Sequence, residues 1–232
     1  MLLIQFKDFL LDIFFPRKCV GCGSEGACLC YECAGKIEKI QTPTCPECGR
    51  INKFGEFCKN CKKRLDLSLD GLIVAAIYDK GPTKEMIHEL KYGGLTELAP
   101  MLGELIVERI SNHLPPGHLV VVPVPLHKKR EGKRGFNQSE LIARYLSEPL
   151  GFSGSLALER VKNTDPQVSL SGEKRRKNLI GAFRVVDPEM VLDSTILLID
   201  DVATTLSTLN ECAKVLKGAG AKKVWGAVVA RG

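Results

Sequence analysis

The sequence has no long uninterrupted apolar run, no extended tail of one charge sign and only four histidines. A bilayer-spanning helix needs about 20 apolar residues, and Lys7, Asp8 and Asp12 interrupt the apolar stretch that ends at Phe15. We therefore expect no transmembrane segment, and the absence of a small-residue cleavage site argues against a secretory signal. The histidines form no HExxH motif, and no Ser/His/Asp arrangement is suggested, so a catalytic zinc centre is not expected.

The chain of 232 residues is long enough for one ordinary domain and a smaller module. We divide it into an N-terminal helix at residues 1–18, a cysteine-rich module at 19–65 and a larger domain at 66–232. Leu3, Phe6 and Leu10 lie at helical spacing, which predicts an amphipathic helix that docks on the protein or a partner, with peripheral membrane contact as the alternative. The net charge of +6 permits an anionic partner without requiring one.

Cysteine is the unusual residue, because nine of the ten cysteines precede Leu65. Two residues between cysteines let both thiolates bind one ion, and two such pairs complete a tetrahedral Cys₄ site for Zn²⁺. Together with the missing secretion signal, this spacing favours metal in a reducing cytoplasm over disulfides. The expected ligands of two structural zinc ions are the four CxxC pairs Cys19/Cys22, Cys30/Cys33, Cys45/Cys48 and Cys58/Cys61.

The pairing of these four motifs stays open at this point. A sequential arrangement places the first two motifs on one ion and the last two on another, whereas an interleaved arrangement mixes them. Cys28 is close enough in sequence to replace Cys30, and an iron–sulfur cluster is a minor alternative. Four thiolates leave no position for water, so the sites are expected to be structural, with metal supplying folding energy.

Residues 195–220 predict a strand, an acidic pair, a hydroxyl-rich turn and a helix, in that order. The apolar run 196–199 suits a strand buried on both faces, as in the parallel sheet of an α/β fold. The turn contains Thr204, Thr205, Ser207 and Thr208, and a helix N-terminus suits phosphate. Asp200 and Asp201 would repel phosphate, so sugar hydroxyls or hydrated Mg²⁺ are their expected partners. The alternative is a capped helix with two solvated aspartates.

A basic segment follows a second buried-type strand at residues 119–122. It runs through Leu126, His127, Lys128, Lys129 and Arg130. Ligands of open α/β folds bind beyond the carboxyl ends of strands, so we expect a basic loop that suits pyrophosphate or a nucleic acid backbone. A solvated loop is the alternative, and His127 is expected to position a ligand rather than to catalyse.

Two further regions are candidates for ligand contact. Lys91 lies before Gly93-Gly94 and is either a cation at a helix C-terminus or a ligand contact. The polar, turn-rich residues 163–178 carry basic side chains and are expected to form a lid, with a flexible surface loop as the alternative. The candidate lid or substrate contacts are Lys91, Arg134, Gln138, Gln167 and Arg175.

The segment from Leu198 to Thr205, followed by Ser207-Thr208, resembles the phosphoribosyl diphosphate (PRPP) loop of type I phosphoribosyltransferases. The resemblance implies that the two acids hold the ribose hydroxyls and are catalytic, that the turn holds the 5′-phosphate, and that Mg²⁺ accompanies PRPP. The family usually has glycine where this chain has Leu206, which is expected to narrow the pocket or strain the turn. The implied PRPP-binding residues are Asp200, Asp201, Val202, Ala203, Thr204, Thr205, Leu206, Ser207, Thr208, Leu126, His127, Lys128, Lys129 and Arg130.

The order of motifs along the chain resembles the ComF family. They are the CxxC pairs, Leu90-Lys91-Tyr92, Pro123-Val124-Pro125-Leu126-His127, Arg134-Gly135-Phe136-Asn137-Gln138, Thr164 with Gln167, Arg175-Arg176-Lys177-Asn178-Leu179 with Ala182-Phe183, and the Asp200-Asp201 loop. The resemblance implies a zinc-finger module fused to a phosphoribosyltransferase-like domain. It also implies cytoplasmic work in competence and DNA uptake, beside a DNA-translocating helicase at the inner face of the membrane.

Two hypotheses about function follow. The first is an enzyme that transfers a phosphoribosyl group from PRPP to an unknown acceptor. The second is a non-catalytic scaffold that binds single-stranded DNA or a helicase and uses the fold as a ligand sensor. Leu206 and the lack of a recognisable acceptor pocket favour the second hypothesis, but the two are compatible. The interpretation we adopt from the sequence is a PRPP-binding protein in DNA uptake, with the scaffold as the alternative.

Overall fold

The apolar run at residues 196–199 forms the middle of a buried strand, as its composition predicts. The structure, a computed structural model, describes residues 16–111, 119–150, 152–163 and 178–232. The expected N-terminal helix and most of the expected lid, with Gln167 and Arg175, lie outside the described residues. Within the described ranges, no helix is long and apolar enough to cross a membrane.

A five-stranded sheet organises the larger part of the chain. Its order is β1-β7-β6-β2-β3, and every neighbouring pair is parallel. Two further strands, β4 and β5, form a separate antiparallel pair. The α/β prediction with a parallel sheet is therefore confirmed. The strands are β1 (Gly71–Ile77), β2 (Leu119–Pro123), β3 (Ser153–Gly154), β4 (Leu158–Arg160), β5 (Phe183–Val185), β6 (Thr195–Ala203) and β7 (Lys223–Arg231).

Helices cover both faces of this sheet, which explains why its central strands are apolar throughout. The helices are α1 (Tyr31–Ala34), α2 (Lys59–Arg64), α3 (Thr83–His88), α4 (Leu98–Ser111), α5 (Lys128–Arg134), α6 (Gln138–Leu150), α7 (Pro188–Val191) and α8 (Ser207–Gly218). Leu197 and Ile199 of β6 belong to one buried cluster with α4 and α6. Ile196 and Leu198 belong to a second with α8 and the β4–β5 pair.

The cysteine region packs along the outer edge of β1. Lys39 bridges Ala76 and Glu56 bridges Gly71, both in antiparallel fashion. The backbone N–H of Ile40 donates to the Ala75 carbonyl at 2.8 Å. The edge of β1 that does not pair with β7 is therefore covered by main chain from the cysteine region.

Asp70, just before β1, ties the second half of the cysteine region to the larger domain. Its carboxylate accepts hydrogen bonds from Lys62 of α2 at 2.6 Å, Lys217 of α8 at 3.1 Å and the Val224 N–H at 2.9 Å. Burial alone would raise the pKa of Asp70, but the two lysines and this N–H outweigh burial and lower it. The cysteine region thus shares an ion-pair network with the sheet and α8.

Candidate functional site

The eight CxxC cysteines form two clusters that follow the sequential pairing. The Sγ atoms of Cys19, Cys22, Cys30 and Cys33 all lie within 4.8 Å of one another, as do those of Cys45, Cys48, Cys58 and Cys61. The Cys22–Cys30 and Cys48–Cys58 Sγ separations are 3.7 and 3.8 Å. A tetrahedral zinc ion with bonds of about 2.3 Å separates its sulfur ligands by about 3.8 Å. Both clusters therefore fit a Cys₄ zinc ion, and the interleaved alternative does not match the structure.

Main-chain donors favour the thiolate form of one cysteine in each cluster, Cys19 in the first and Cys45 in the second. The Cys30 N–H donates to Cys19 Sγ at 3.3 Å, and the Cys58 N–H donates to Cys45 Sγ at 3.4 Å. Burial raises the pKa of Cys19 and of Cys45, but backbone N–H groups outweigh it and bring both to about 6. Since metals bind the thiolate, these bonds prepare the ligands for zinc.

Cys28 lies outside the first cluster. Its thiol donates to Glu97 Oε2 at 2.9 Å, and Glu97 also pairs with Arg17 at 3.4 Å. Burial first, and then the Glu97 carboxylate, raise the pKa of Cys28 to about 11. Cys28 is therefore a neutral buried thiol, and it does not replace Cys30 as a ligand.

Asp200 and Asp201 lie within β6, close to its C-terminal end, because the strand continues to Ala203. The expectation that the strand ends before Asp200 is therefore wrong. Parallel pairing with β7 extends through Val202 and Ala203 and keeps the backbone extended. Asp200 Oδ1 accepts from Ser139 Oγ of α6 at 2.9 Å and from the Asp201 N–H at 3.0 Å. Its other oxygen, Oδ2, accepts no hydrogen bond from the described residues.

Burial and the neighbouring Asp201 charge raise the pKa of Asp200 from 3.8 to about 7, although Lys91 and Ser139 lower it. A raised pKa means that the folded chain holds this proton more tightly than the unfolded chain does. The contribution of Asp200 to stability is therefore fully present below pH 3.8 and is lost as pH rises through about 7.

Lys91 pairs with the second acid from a separate element. It lies in a π-helical turn, Glu89–Gly93, which ends at Gly94 with φ 74°. Its Nζ is 2.6 Å from Asp201 Oδ2, and Asp201 is only 3% exposed. Burial lowers the pKa of Lys91, but the charges of Asp201 and Asp200 outweigh it and raise the pKa. Lys91 is the basic residue in the last turn of this helix, as one of the two predictions had it, and its side chain also pairs with Asp201. The alternative, a ligand contact, stays a prediction.

The hydroxyl turn after β6 surrounds a small cavity. Asp200 and residues 202–209 line it, and Thr205 Oγ1 is 2.9 Å from Ser207 Oγ. Leu206 has φ 62° and ψ 0°, the left-handed conformation that glycine adopts easily. Its side chain is 5% exposed and belongs to the same buried cluster as Leu209. Leu206 therefore carries backbone strain, as expected, while its side chain packs into the core and forms one wall of the cavity.

The basic segment after β2 is a helix rather than a loop from Lys128 onward, so that part of the prediction is wrong. His127 Nδ1 accepts from the Lys129 N–H at 3.2 Å and caps the helix, and Gly135 ends it with φ 88°. The His127 cap and the glycine at the C-terminus provide hydrogen bonds for backbone groups that would otherwise be unpaired at the two ends of this short helix. α5 has no buried residue. Leu126 and His127 remain between β2 and α5.

Three of the five candidate lid or substrate contacts lie near one another. Arg134 donates to Gln138, and its guanidinium lies 5.6 Å from the centre of the Tyr92 ring, next to Lys91. Gln138 is buried at the start of α6. The structure thus brings Arg134 and Gln138 into contact and places Arg134 beside Tyr92, the residue after Lys91. Gln167 and Arg175 lie outside the described residues.

Two residues of the site were not expected from the sequence. Ser139 hydrogen-bonds to Asp200, and the polar run Asn137-Gln138-Ser139 at a helix start was the only signal for it. Arg160 of β4 is 9% exposed and lies over the Phe183 ring at 5.4 Å. The pKa of Arg160 is lowered overall, by burial first and then by the charge of Arg130. Cys212 and Asp200 act in the opposite direction and offset only part of this effect. Arg160 therefore sits within the electrostatic reach of the acidic pair.

Two Cys₄ clusters precede a parallel α/β domain in which the acidic pair lies near the end of a central strand. A model of the double zinc ribbon domain matches residues 10–62. Competence protein F of Haemophilus influenzae is 31% identical over 228 residues, covering 92% of this chain and 97% of the relative. Competence protein ComFC of Bacillus subtilis is 30% identical, covering 81% and 77%. The chain belongs to the ComF family.

Other similar proteins extend this group. The DNA utilization protein YhgH of Escherichia coli K12 is 32% identical over 85% of this chain and 88% of the relative. Among solved structures, a glutamine PRPP amidotransferase from B. subtilis has a TM-score of 0.39 at 16% identity, covering 56% of this chain and 25% of that one. The PRPP synthetase of Mycobacterium smegmatis has a TM-score of 0.33 at 19% identity, covering 57% and 33%. Both structures are likenesses of the fold alone.

Proposed function

We propose that this chain binds PRPP at the β6–α8 turn and acts in DNA uptake, transferring the phosphoribosyl group to an acceptor. The supporting observation is the state of Asp200. One of its oxygens is held by Ser139 and the Asp201 N–H, and the other accepts nothing from the described residues. Asp200 lines the same cavity as the hydroxyl turn, so we assign this oxygen as the acceptor for a ribose hydroxyl.

The 5′-phosphate is assigned to the turn between β6 and α8. α8 has 12 residues, so its N-terminus offers unpaired N–H groups and the positive end of a dipole. Thr205 and Ser207 place hydroxyls at the same point. The backbone of Leu206 already has the left-handed conformation that a tight phosphate turn requires, and its side chain is buried in the core.

The two acids have different tasks in this proposal. Lys91 neutralises Asp201 and fixes its orientation, so Asp201 supports the site from within. Asp200 has a pKa of about 7 because burial and Asp201 oppose its ionisation, and it is the acid that meets the ligand. When the pyrophosphate leaves, positive charge develops on the ribose, and the buried carboxylates stabilise it.

The pyrophosphate end is assigned to the segment from Leu126 to Arg130. The charges of Arg130 and Asp200 both affect the pKa of Arg160. The two arginines and this carboxylate therefore lie at one end of the site. Arg130 and Arg160 would bind the leaving pyrophosphate, with Lys128 and Lys129 exposed nearby. Mg²⁺ brought in with PRPP would neutralise charge on the leaving group.

The cellular role rests on the relatives. Two are named competence proteins and others DNA utilization proteins. We assign this chain to DNA uptake on the cytoplasmic side, beside a DNA-translocating helicase at the inner face of the membrane.

A second candidate function is a scaffold that binds single-stranded DNA without catalysis. The observation that favours it is α5, because Lys128, Lys129 and Lys133 are exposed on one short helix. Phosphate contacts by lysine and arginine make binding strongly salt-dependent. This function does not conflict with PRPP binding.

Calorimetric titration of PRPP with Mg²⁺ tests the first function. The parent chain should bind, and Asp200→Asn should bind roughly 10–100-fold more weakly because a hydrogen bond to a charged group is lost. Asp79→Asn is the matched control, since Asp79 is an exposed carboxylate outside the site that pairs with Lys84. The absence of heat with the parent chain, or equal affinity for Asp200→Asn, would refute the assignment.

Fluorescence anisotropy with labelled single-stranded DNA tests the second function. Binding should weaken as salt rises, and the slope should fall when Lys128, Lys129 and Lys133 are replaced by glutamine. Binding that is absent, or that is independent of salt, would remove this candidate.

A further inference from the structure

A second cleft lies between the cysteine region and α4. Residues 39–41, which run beside β1, form one wall, and the last turns of α4 form the other. Its volume is about 640 Å³, which is within the range of small-ligand pockets. Apolar side chains, among them Ile40, Leu105 and Val107, make up much of the lining.

Arg109 of α4 lines this cleft and is 8% exposed. No described residue forms a hydrogen bond or ion pair with it, and its buried Nε–H has no acceptor. Burial lowers the pKa of Arg109. A buried charge without a partner destabilises the fold, so we expect a bound anionic group to pair with Arg109.

The other charged groups of the cleft are already matched. Lys39 Nζ is 2.5 Å from Glu108 Oε2, and Tyr145 donates to Glu104 at 2.5 Å. Lys39 and Arg109 balance Glu104 and Glu108 in number, but Glu104 is held by a neutral phenol. Arg109 is therefore the cation with an open guanidinium fork, and two carboxylates stand near it.

These charges select the kind of anion. A phosphate dianion would meet the repulsion of Glu104 and Glu108. A carboxylate carries one charge and matches the planar guanidinium with two parallel hydrogen bonds. The apolar lining suits an aliphatic body attached to that carboxylate.

We propose that the cleft between residues 39–41 and α4 is a carboxylate-binding site, with Arg109 as its anchor and an apolar group as the body of the ligand. The carboxylate comes from a free aliphatic acid or from the C-terminus of a peptide chain. The site is separate from the β6–α8 turn and goes beyond the proposed function.

Solution NMR on the zinc-loaded chain tests this site through the Nε–H signal of Arg109. Hexanoate should shift that signal, whereas hexanamide, which has the same body without charge, should not. Inorganic phosphate should bind more weakly than hexanoate. A leucine-rich tripeptide with a free or an amidated C-terminus then separates the two sources, because only the free form carries the carboxylate. Binding of either carboxylate supports the site, and binding of neither overturns it.

Variants decide whether Arg109 is the anchor. Arg109→Met should weaken hexanoate binding at least tenfold, and Arg109→Lys, which keeps the charge but loses the fork, should weaken it less. Arg144→Met is the matched control, since Arg144 is an exposed helix arginine that pairs with Glu140. Arg109→Met should also melt no lower than the parent, because it removes an unpaired buried charge. Hexanoate binding that survives Arg109→Met, or a lower melting temperature of that variant, would overturn the proposal.

Discussion

The two zinc clusters and the acidic site balance buried charge in opposite ways. In each cluster, four cysteines from one short segment are placed so that a zinc ion would neutralise their thiolates. At the acidic site, Asp201 is neutralised by Lys91 and Asp200 is held by Ser139, which lie on different elements. The clusters depend on metal supply and local spacing, whereas the acidic site depends on the completed fold.

This difference predicts which region fails first under each perturbation. A chelator attacks the clusters directly, because their folding energy comes from the metal. Partial unfolding of α6 or of the π-helical turn should disrupt the acidic site, because it removes the contact of Ser139 with Asp200 or of Lys91 with Asp201. Three substitutions sharpen the comparison.

The largest expected effect is the loss of a zinc ligand. Cys61→Ser should reduce the bound zinc from two ions to one, because three thiolates remain in the second cluster. Structural zinc supplies apparent free energies of about 10–16 kcal/mol, comparable to the whole stability of a domain. We expect the region around the second cluster to unfold, which metal analysis and amide hydrogen exchange can measure.

Cys28→Ser is the control for that substitution. Cys28 is a buried cysteine of the same region but lies outside both clusters. It should retain two zinc ions per chain. A loss of zinc from Cys28→Ser, or two ions in Cys61→Ser, would contradict the assignment of ligands.

An intermediate effect is expected from Lys91→Met. The substitution leaves Asp201, 3% exposed, without its counter-ion. Removing one partner of a buried pair costs about 3–5 kcal/mol, and the partial exposure of Lys91 reduces this to roughly 2–4 kcal/mol. Urea titration of zinc-loaded protein measures the free energy of unfolding.

The double variant Lys91→Met with Asp201→Asn should recover most of that loss, because no unpaired charge remains. A double-mutant cycle isolates the coupling between the two side chains. A coupling close to zero would show that the ion pair does not stabilise the fold.

The smallest effect concerns the strained backbone at Leu206. Glycine is usually less favourable than alanine by roughly 0.5–1 kcal/mol in regular structure. At position 206, where φ is 62°, glycine should be more favourable than alanine, because the left-handed conformation costs a non-glycine residue about 1–2 kcal/mol. We expect Leu206→Gly to be more stable than Leu206→Ala by about 1 kcal/mol, while both fall below the parent through lost burial. Equal stability of the two variants in urea would argue against strain.

Local patterns in the sequence predicted local structure well. The CxxC spacing identified all eight cluster cysteines, because ligands on one short segment are specified by that segment. The apolar run before Asp200 identified β6.

Contacts between distant segments were less predictable. Lys91 had two interpretations, because only the fold places the π-helical turn against β6. The antiparallel pair β4–β5 has three residues in each strand, too few for a period to be visible. The sequence predicts a loop where α5 lies, because the residue that caps this helix is His127 and not one of the usual Ser, Thr, Asp or Asn caps. The exact end of β6 depended on β7, whose pairing continues to Ala203.

The antiparallel bridges from Lys39 and Glu56 to β1 have a consequence for aggregation. A bare strand at the border of a sheet is a template for pairing with another molecule. When zinc is bound to the cysteine clusters, main chain around Lys39 and Glu56 covers this edge of β1. Without zinc this edge would be exposed in newly made chains, so we expect zinc-free protein to self-associate more strongly than zinc-loaded protein as its concentration rises.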